Sequence, residues 1–241
     1  MARKILYIIT ALSILALPLF AIASDVQQQR STLYPFQSTV ELQEDFLTGT
    51  NASGIIGHLG WTAANGAVSA ASTTNAPGYT RRDTSAAAGT IASTFHHISG
   101  SLVDPALNHS VLWRVRIVTN DNATTVRAGE AAPPTVNPPT GGIYFERLDT
   151  DTNWFCVTRS AGVQTRTDST VATTGNFVNL SYTRNSSGVM WSIDGVAVCG
   201  TSTTNIPTAF NLGFTQVINT GAVAKQLDHD YFQLRIVGLT R

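Results

Sequence analysis

Hydrophobic and polar residues alternate along this chain in short runs broken by Gly, Asn, Asp and Ser, and no long stretch keeps the spacing of an amphipathic helix. Val111, Trp113, Val115 and Ile117 alternate with Arg114 and Arg116, while Phe232, Leu234 and Ile236 alternate with Tyr231, Gln233 and Arg235. Successive side chains of a strand point to opposite faces, so each of these runs has one buried and one solvated side. The pattern predicts strands near residues 55–61, 110–119, 143–149, 153–160, 163–170, 177–184, 189–194, 196–203, 210–218 and 228–239. Strands of this kind bury their apolar sides by packing two sheets face to face, which predicts an all-β, two-sheet antiparallel sandwich.

Turn chemistry fixes two registers. Asp194-Gly195 suits a two-residue hairpin turn, so Ile193 should oppose Val196 and Trp191 should oppose Val198, all four toward the core. Met190, Ser192, Ala197 and Cys199 then share the other face. Ala161-Gly162 closes a second hairpin, although Ala suits its first turn position poorly. Carried through the turn at residues 149–152, this register gives a core face of Ile143, Phe145, Trp154, Cys156, Thr158, Thr165 and Thr167, with Arg147 at its margin. The opposite face carries Tyr144, Glu146, Phe155, Val157, Arg159, Gln164, Arg166 and Asp168, and it reads as a wet sheet face. Residues 131–142 hold four of the nine prolines and are expected to form a surface loop, since proline donates no ladder hydrogen bond.

The first residues differ from the rest. Arg3 and Lys4 precede an apolar run from Ile5 to Leu19, and Ala21 and Ala23 form an A-x-A site, the three parts of a secretory leader cleaved after Ala23. An uncleaved anchor is disfavoured because Pro18 breaks the run. Three segments follow: a leader over 1–23, a polar lead-in over 24–40, and the sandwich over 41–241. The expected location is secreted or cell-surface, with no membrane contact after cleavage.

Charged residues make up 12% of the chain and formal net charge is zero. Loss of Arg3 and Lys4 with the leader leaves the mature chain slightly acidic, which offers no electrostatic footprint for nucleic acid. Hydrophobic residues, at 43%, suffice for one large core.

Glu44-Asp-Phe-Leu-Thr-Gly49 with Gly54, Gly57 and Gly60-Trp61, the run from Asn153 to Ser169, the hairpin from Trp191 to Gly195, Thr203 to Thr208, and Leu227 to Leu234 together resemble the concanavalin A-like lectin/glucanase superfamily. They look most like its LamG-type modules of phage tail, capsid-decoration and bacterial surface proteins. The resemblance spans nearly the whole mature chain and implies a jelly-roll sandwich. Its motifs are turn and strand signatures, which speak to fold and not to activity.

Glycosidases of this superfamily place carboxylates as E-x-D-x-x-E on one strand, because two acids must flank one glycosidic bond at about 5 Å. Glu146, Asp149 and Asp151 stand at i, i+3 and i+5, so Glu146 and Asp149 face opposite ways, and the chain is expected not to be an enzyme. Asp228 and Asp230 share a face but have no third acid, and a structural role is expected. Asp149, Asp151 and Asn153 could crowd a calcium ion, but stabilising a tight turn is the simpler reading. His96-His97 points to two sides of a strand, so zinc is not supported. Neither a metal nor a cofactor is expected, and no nucleophile elbow, P-loop or dinucleotide fingerprint occurs. Five N-x-S/T sequons, at Asn51, Asn108, Asn122, Asn179 and Asn185, match by composition alone in so Ser/Thr-rich a chain.

An even cysteine count in an exported chain points to a bridge between Cys156 and Cys199. The register opposes it: Cys156 falls on the core face and Cys199 on the outer face, so two free thiols are expected unless a bulge near Gly200 or strands in different sheets bring them together.

Three functions follow. The first is a non-catalytic module that recognises a glycan or cell-surface polymer through Tyr144, Glu146, Phe155, Arg159, Arg166 and Asp168, with the aromatics stacking on sugar rings and the charged groups meeting hydroxyls. The second is a virion or cell-surface structural or adhesion protein whose sandwich packs against other protein subunits. The third is a secreted polysaccharide-cleaving enzyme.

Overall fold

The computed structural model describes residues 39–46, 55–57, 59–73, 76–96, 103–209 and 211–238. The expected leader, the lead-in up to Ser38 and His97 lie outside the described residues.

Two antiparallel sheets pack face to face, and no helix occurs among the described residues. The first sheet runs in the order β14 (Val196–Ser202), β13 (Gly188–Ile193), β12 (Val178–Asn185), β7 (Asn108–Ile117), β16 (Gln226–Val237), β5 (Ala76–Asp83) and β4 (Ala67–Thr73). β1 (Thr39–Glu44) also pairs with β16. The second runs β11 (Val163–Ala172), β10 (Asn153–Ser160), β9 (Gly141–Arg147), β8 (Thr124–Ala132), β15 (Leu212–Asn219), β6 (Ile91–His96), β3 (Trp61–Ala64) and β2 (Ile55–Ile56).

Apolar alternation decides which sides meet. Trp113, Val115, Phe232 and Leu234 of the first sheet face Trp61, Phe145 and Val217 of the second, all buried. Trp61 meets Trp113 edge-on at 5.1 Å and Phe232 at 4.8 Å, with Phe46 completing the group. At the other end Trp191 packs against Phe145 at 5.2 Å and Tyr182 at 5.4 Å. Polar ties also cross between the sheets. The indole Nε1 of Trp113 donates to the carbonyl of Gly129 at 3.1 Å, and His109 Nε2 lies 3.2 Å from the Glu130 carboxylate. Burial works against a charged His109, but Glu130 outweighs it and raises the ring's pKa.

Both hairpins have the expected register, with Trp191 opposite Val198, Ile193 opposite Val196 and Ser160 opposite Val163. Their turn residues all have positive φ: 48° and 80° at Asp194 and Gly195, 48° and 84° at Ala161 and Gly162. Ala161 thus accepts a left-handed conformation that favours Gly or Asn. Two expectations need correction. Residues 55–61 do not form one strand; a turn around Gly57 and Gly60 divides β2 from β3. Val196, expected in the core, is 67% exposed and Val198 only half-buried, because β14 is the sheet's edge strand.

The free-thiol expectation is overturned. Cys156 and Cys199 form a disulfide with Cα atoms 6.3 Å apart. Both escape routes from the register argument are taken: β10 and β14 belong to different sheets, and Cys199 and Gly200 are two extra residues between the pairs Trp191–Val198 and Met190–Thr201. Both adopt positive φ, 59° and 63°, so the bulge turns Cys199 toward the opposite sheet.

Candidate functional site

The ladders of β9, β10 and β11 bring all six expected site residues onto one outer face. Phe155 stands opposite Glu146 on one side and Asp168 on the other, Val157 stands between Tyr144 and Arg166, and Arg159 pairs with Gln164. The same rows continue into β8 and β15, where Arg127 opposes Glu146 and Gln216 opposes Arg127.

This face is not uniformly wet. Tyr144, Arg127, Glu146, Phe214 and Gln216 are buried, because the Pro-rich connection between β8 and β9 folds back across them. Gln216 Nε2 donates to the carbonyls of Pro134 and Val136 at 3.3 Å, and Arg127 Nη1 donates to Asn137 Oδ1 at 2.9 Å. Pro134 and Pro139 are buried in this strap. Beneath it Tyr144, Val157, Ala131 and Phe214 form an apolar cluster. Burial, with the nearby Glu146 carboxylate, pushes the Tyr144 phenol up to about 12. The Tyr144 ring therefore supports the strap and presents no stacking surface, unlike the sequence expectation.

Glu146 is the electrostatic centre. Its Oε2 accepts from Arg127 Nε at 2.7 Å and its Oε1 from Arg166 Nε at 2.8 Å. Arg166 also pairs with Asp151, whose carboxylate accepts from the backbone N–H of Leu148 at 2.8 Å. The Arg166 guanidinium lies 3.4 Å from the centre of the Phe155 ring. A buried ion network of this kind holds its members in fixed positions, since removing one partner leaves an uncompensated charge.

The strap leaves β10 and β11 half open. Asp168 and Gln164 are exposed there, while Phe155, Arg159 and Arg166 are partly covered. Asp168 accepts from Asn153 Nδ2 at 3.0 Å and from the N–H of Thr170 at 2.7 Å, and Arg159 donates to Gln164 at 2.6 Å. A depression of about 400 Å³ closes the far end, between Pro133, Thr140 and Gly141 at the strap's base, the Ser160-Ala161 turn, and Pro207 to Ala209.

No family profile and no curated protein matches the chain. Solved structures do. The chain is similar to a protein of unknown function from Shewanella oneidensis MR-1, with 15% identity and a TM-score of 0.61 over 84% of this chain and 89% of that one. It is also similar to the carbohydrate recognition domain of Emp47p, at 11% identity and TM-score 0.56 over 83% and 95%. A third is the β-glucanase of Bacillus licheniformis, at 14% and 0.51 over 83% and 98%. The fold is concanavalin A-like.

In this concanavalin A-like sandwich the remaining sequence candidates take structural roles. Asp228 accepts from Arg81 Nε at 2.7 Å and Arg116 Nε at 2.9 Å on the first sheet's outer face, and Asp230 pairs with Arg114 at 3.1 Å. Asp151 stabilises its turn by accepting from the Leu148 N–H, as expected, and also pairs with Arg166, which was not expected. No group of three metal-binding side chains occurs among the described residues. Sequence reasoning missed Arg127, Gln216 and the strap. Arg127 sits in a strand buried on both faces, where no alternation marks it. Gln216 lay in an expected strand, but nothing local announces that a loop eighty residues away covers it.

Proposed function

We propose that this chain is an exported, non-catalytic module that binds a glycan or surface polymer on the half-open face of β10 and β11. The observation carrying the proposal is the fixed Glu146–Arg166–Phe155 stack, with Arg159, Gln164 and Asp168 arrayed beside it on the same face. A sugar ring offers an apolar face and equatorial hydroxyls, and this strip offers a rigid planar guanidinium over an aromatic ring with donors and acceptors around it. Structures with the same fold include a carbohydrate recognition domain, a glucanase and a transglycosylase, so the fold is compatible with both binding and cleavage.

Binding is favoured over cleavage by the state of the acids. Retaining and inverting glycosidases need two carboxyl groups flanking one bond, one of them able to give up a proton. Here Glu146 is held by two arginines and Asp168 by Asn153 and a backbone N–H. The disulfide supports export, because such bonds persist in oxidising compartments.

A glycan array probed with multivalent mature domain tests this reading, since an open sheet face displaces little water and single-site affinity should lie near the millimolar range. Binding without release of reducing ends is the expected result. Release of reducing ends from a bound glycan would make the protein an enzyme. No binding to any glycan, with self-association or subunit contacts instead, would favour the structural role.

A further inference from the structure

The sandwich interior holds a positive charge, at Arg82, to which no carboxylate among the described residues is bonded. Arg82 of β5 is fully buried, and among the described residues its hydrogen bonds run from Nη2 to the carbonyls of Ala64 at 3.1 Å and Asn65 at 2.5 Å, at the end of β3 on the other sheet. Its Nε and Nη1 are buried with no hydrogen-bond partner among the described residues. Thr80 and His229 belong to the same inner face: Thr80 stands two residues before Arg82 and pairs with His229 in the β5–β16 ladder, while Arg82 pairs with Leu227. Both are buried, and the Thr80 hydroxyl and both His229 ring nitrogens also lack partners. Across the gap, β3 places Ala63 opposite Thr94 of β6, and Thr94 opposite Thr215 of β15; their two hydroxyls are buried and unpartnered.

We propose that Arg82, Thr80 and His229, with Thr94 on the facing sheet, form an enclosed site for one small monovalent anion of the halide type. The group is rich in donors. Guanidinium N–H groups cannot accept, hydroxyls can donate, and a neutral imidazole donates through one nitrogen. Two carboxylates, those of Glu44 and Asp83, are bonded to other groups. The Glu44 carboxylate accepts from the N–H groups of Phe46 at 3.1 Å and Leu59 at 2.7 Å, and Asp83, on the other side of β5, accepts from Gln226 Nε2 at 2.6 Å. Burial lowers the Arg82 pKa only to about 10, so the guanidinium keeps its charge at neutral pH. Burial together with the Arg82 charge holds His229 near 3, so it adds none. A buried unpaired cation is strongly disfavoured, and an anion resolves charge and hydrogen bonding together.

The group lies beneath the turn at Asn65 and Gly66. Asn65 and Gly66 form the turn whose carbonyl holds Arg82, and on its outer side they line a depression of about 400 Å³ with Ser85, Gly89, Thr90 and Ile91. Gly66 has φ +72°, and a Cβ there would stand 2.3 Å from the Asp83 carbonyl oxygen, so the roof is a close backbone contact that only glycine permits.

The test uses the full mature protein, melted in sodium chloride, sodium bromide and sodium gluconate at matched ionic strength, and crystallised in bromide. The expected result is a melting temperature that rises saturably with halide but not with gluconate, as for any ligand that binds only the folded state. An anomalous bromide peak should lie within hydrogen-bond distance of Arg82 Nε or Nη1. Arg82→Met should abolish both. If that variant does not fold, Thr80→Val, which removes one donor and keeps the volume, should weaken the halide dependence several-fold. Identical melting in all three salts with only water beside Arg82, or a halide effect untouched by Thr80→Val and Arg82→Met, would overturn the proposal.

Discussion

Cys199 reaches Cys156 across the edge of the sandwich because a two-residue bulge in β14 rotates it out of the hairpin's ordinary alternation. The bond ties β14 of one sheet to β10 of the other at the end where β10 carries the candidate face. Opening a cross-link between residues 43 apart in sequence should cost about 2 to 4 kcal/mol, mostly through a freer unfolded chain. The double variant Cys156→Ala/Cys199→Ala should therefore unfold at lower urea. Labelling of denatured, unreduced protein should find no free thiol; two labelled thiols would contradict the bond.

Trp191→Ala should destabilise by about 3 to 5 kcal/mol. The substitution removes contacts to Phe145 and Tyr182 and leaves the Ser202 hydroxyl without the indole N–H that bonds it at 3.0 Å. A loss under about 1 kcal/mol in denaturant melts would contradict the placement of this hairpin.

His229 gives the fold an acid limb. Its folded pKa, near 3, lies below the ordinary value of 6.5, so between those values the unfolded chain binds more protons than the folded one. Its contribution is present above pH 6.5 and fades as pH falls toward 3, with a slope of at most about 1.4 kcal/mol per pH unit. His109, whose pKa Glu130 raises, acts in the opposite sense, and its contribution fades as pH climbs through the raised value. Urea melts in halide-free buffer at pH 7, 6 and 5 should show wild type losing stability relative to His229→Gln as pH drops. A difference that does not change with pH would contradict a buried neutral ring.

Glu146→Gln should cost about 3 to 5 kcal/mol, because Arg127 and Arg166 would then face each other with their shared countercharge gone. Calorimetry of the purified variant checks this. A neutral effect would mean the strap and ion network move independently of the sheet.

Much of this architecture is legible in the alternation of particular residues. Val111 to Ile117 and Phe232 to Ile236 declare their buried sides, and Asp194-Gly195 declares its turn. β5 is not legible, because the residues it turns inward, Thr80 and Arg82, are polar and leave no hydrophobic trace. β8 is hidden for the opposite reason, being covered on both sides. The candidate face was readable as a set of side chains on successive strands, since period-two alternation needs only register. Its covering was not: the burial of Tyr144 depends on the strap meeting Arg127 and Gln216, contacts between residues far apart in sequence. Cys199 illustrates the same limit, since a two-residue bulge turns it out of an alternation that the strand resumes at Thr201 and Ser202.

The central claim is that the β10–β11 strip binds a glycan. Its most direct test is titration of a glycan selected by array into the wild type and into Arg166→Ala, Asp168→Ala and Gln233→Ala. Gln233 lines a depression of about 410 Å³ on the outer face of the opposite sheet and serves as the control. Binding should weaken tenfold or more in the first two variants and stay within about twofold of wild type in the third, each step of ten being about 1.4 kcal/mol. Unchanged affinity in Arg166→Ala and Asp168→Ala, with loss in Gln233→Ala, would contradict the claim and move the site to the other sheet.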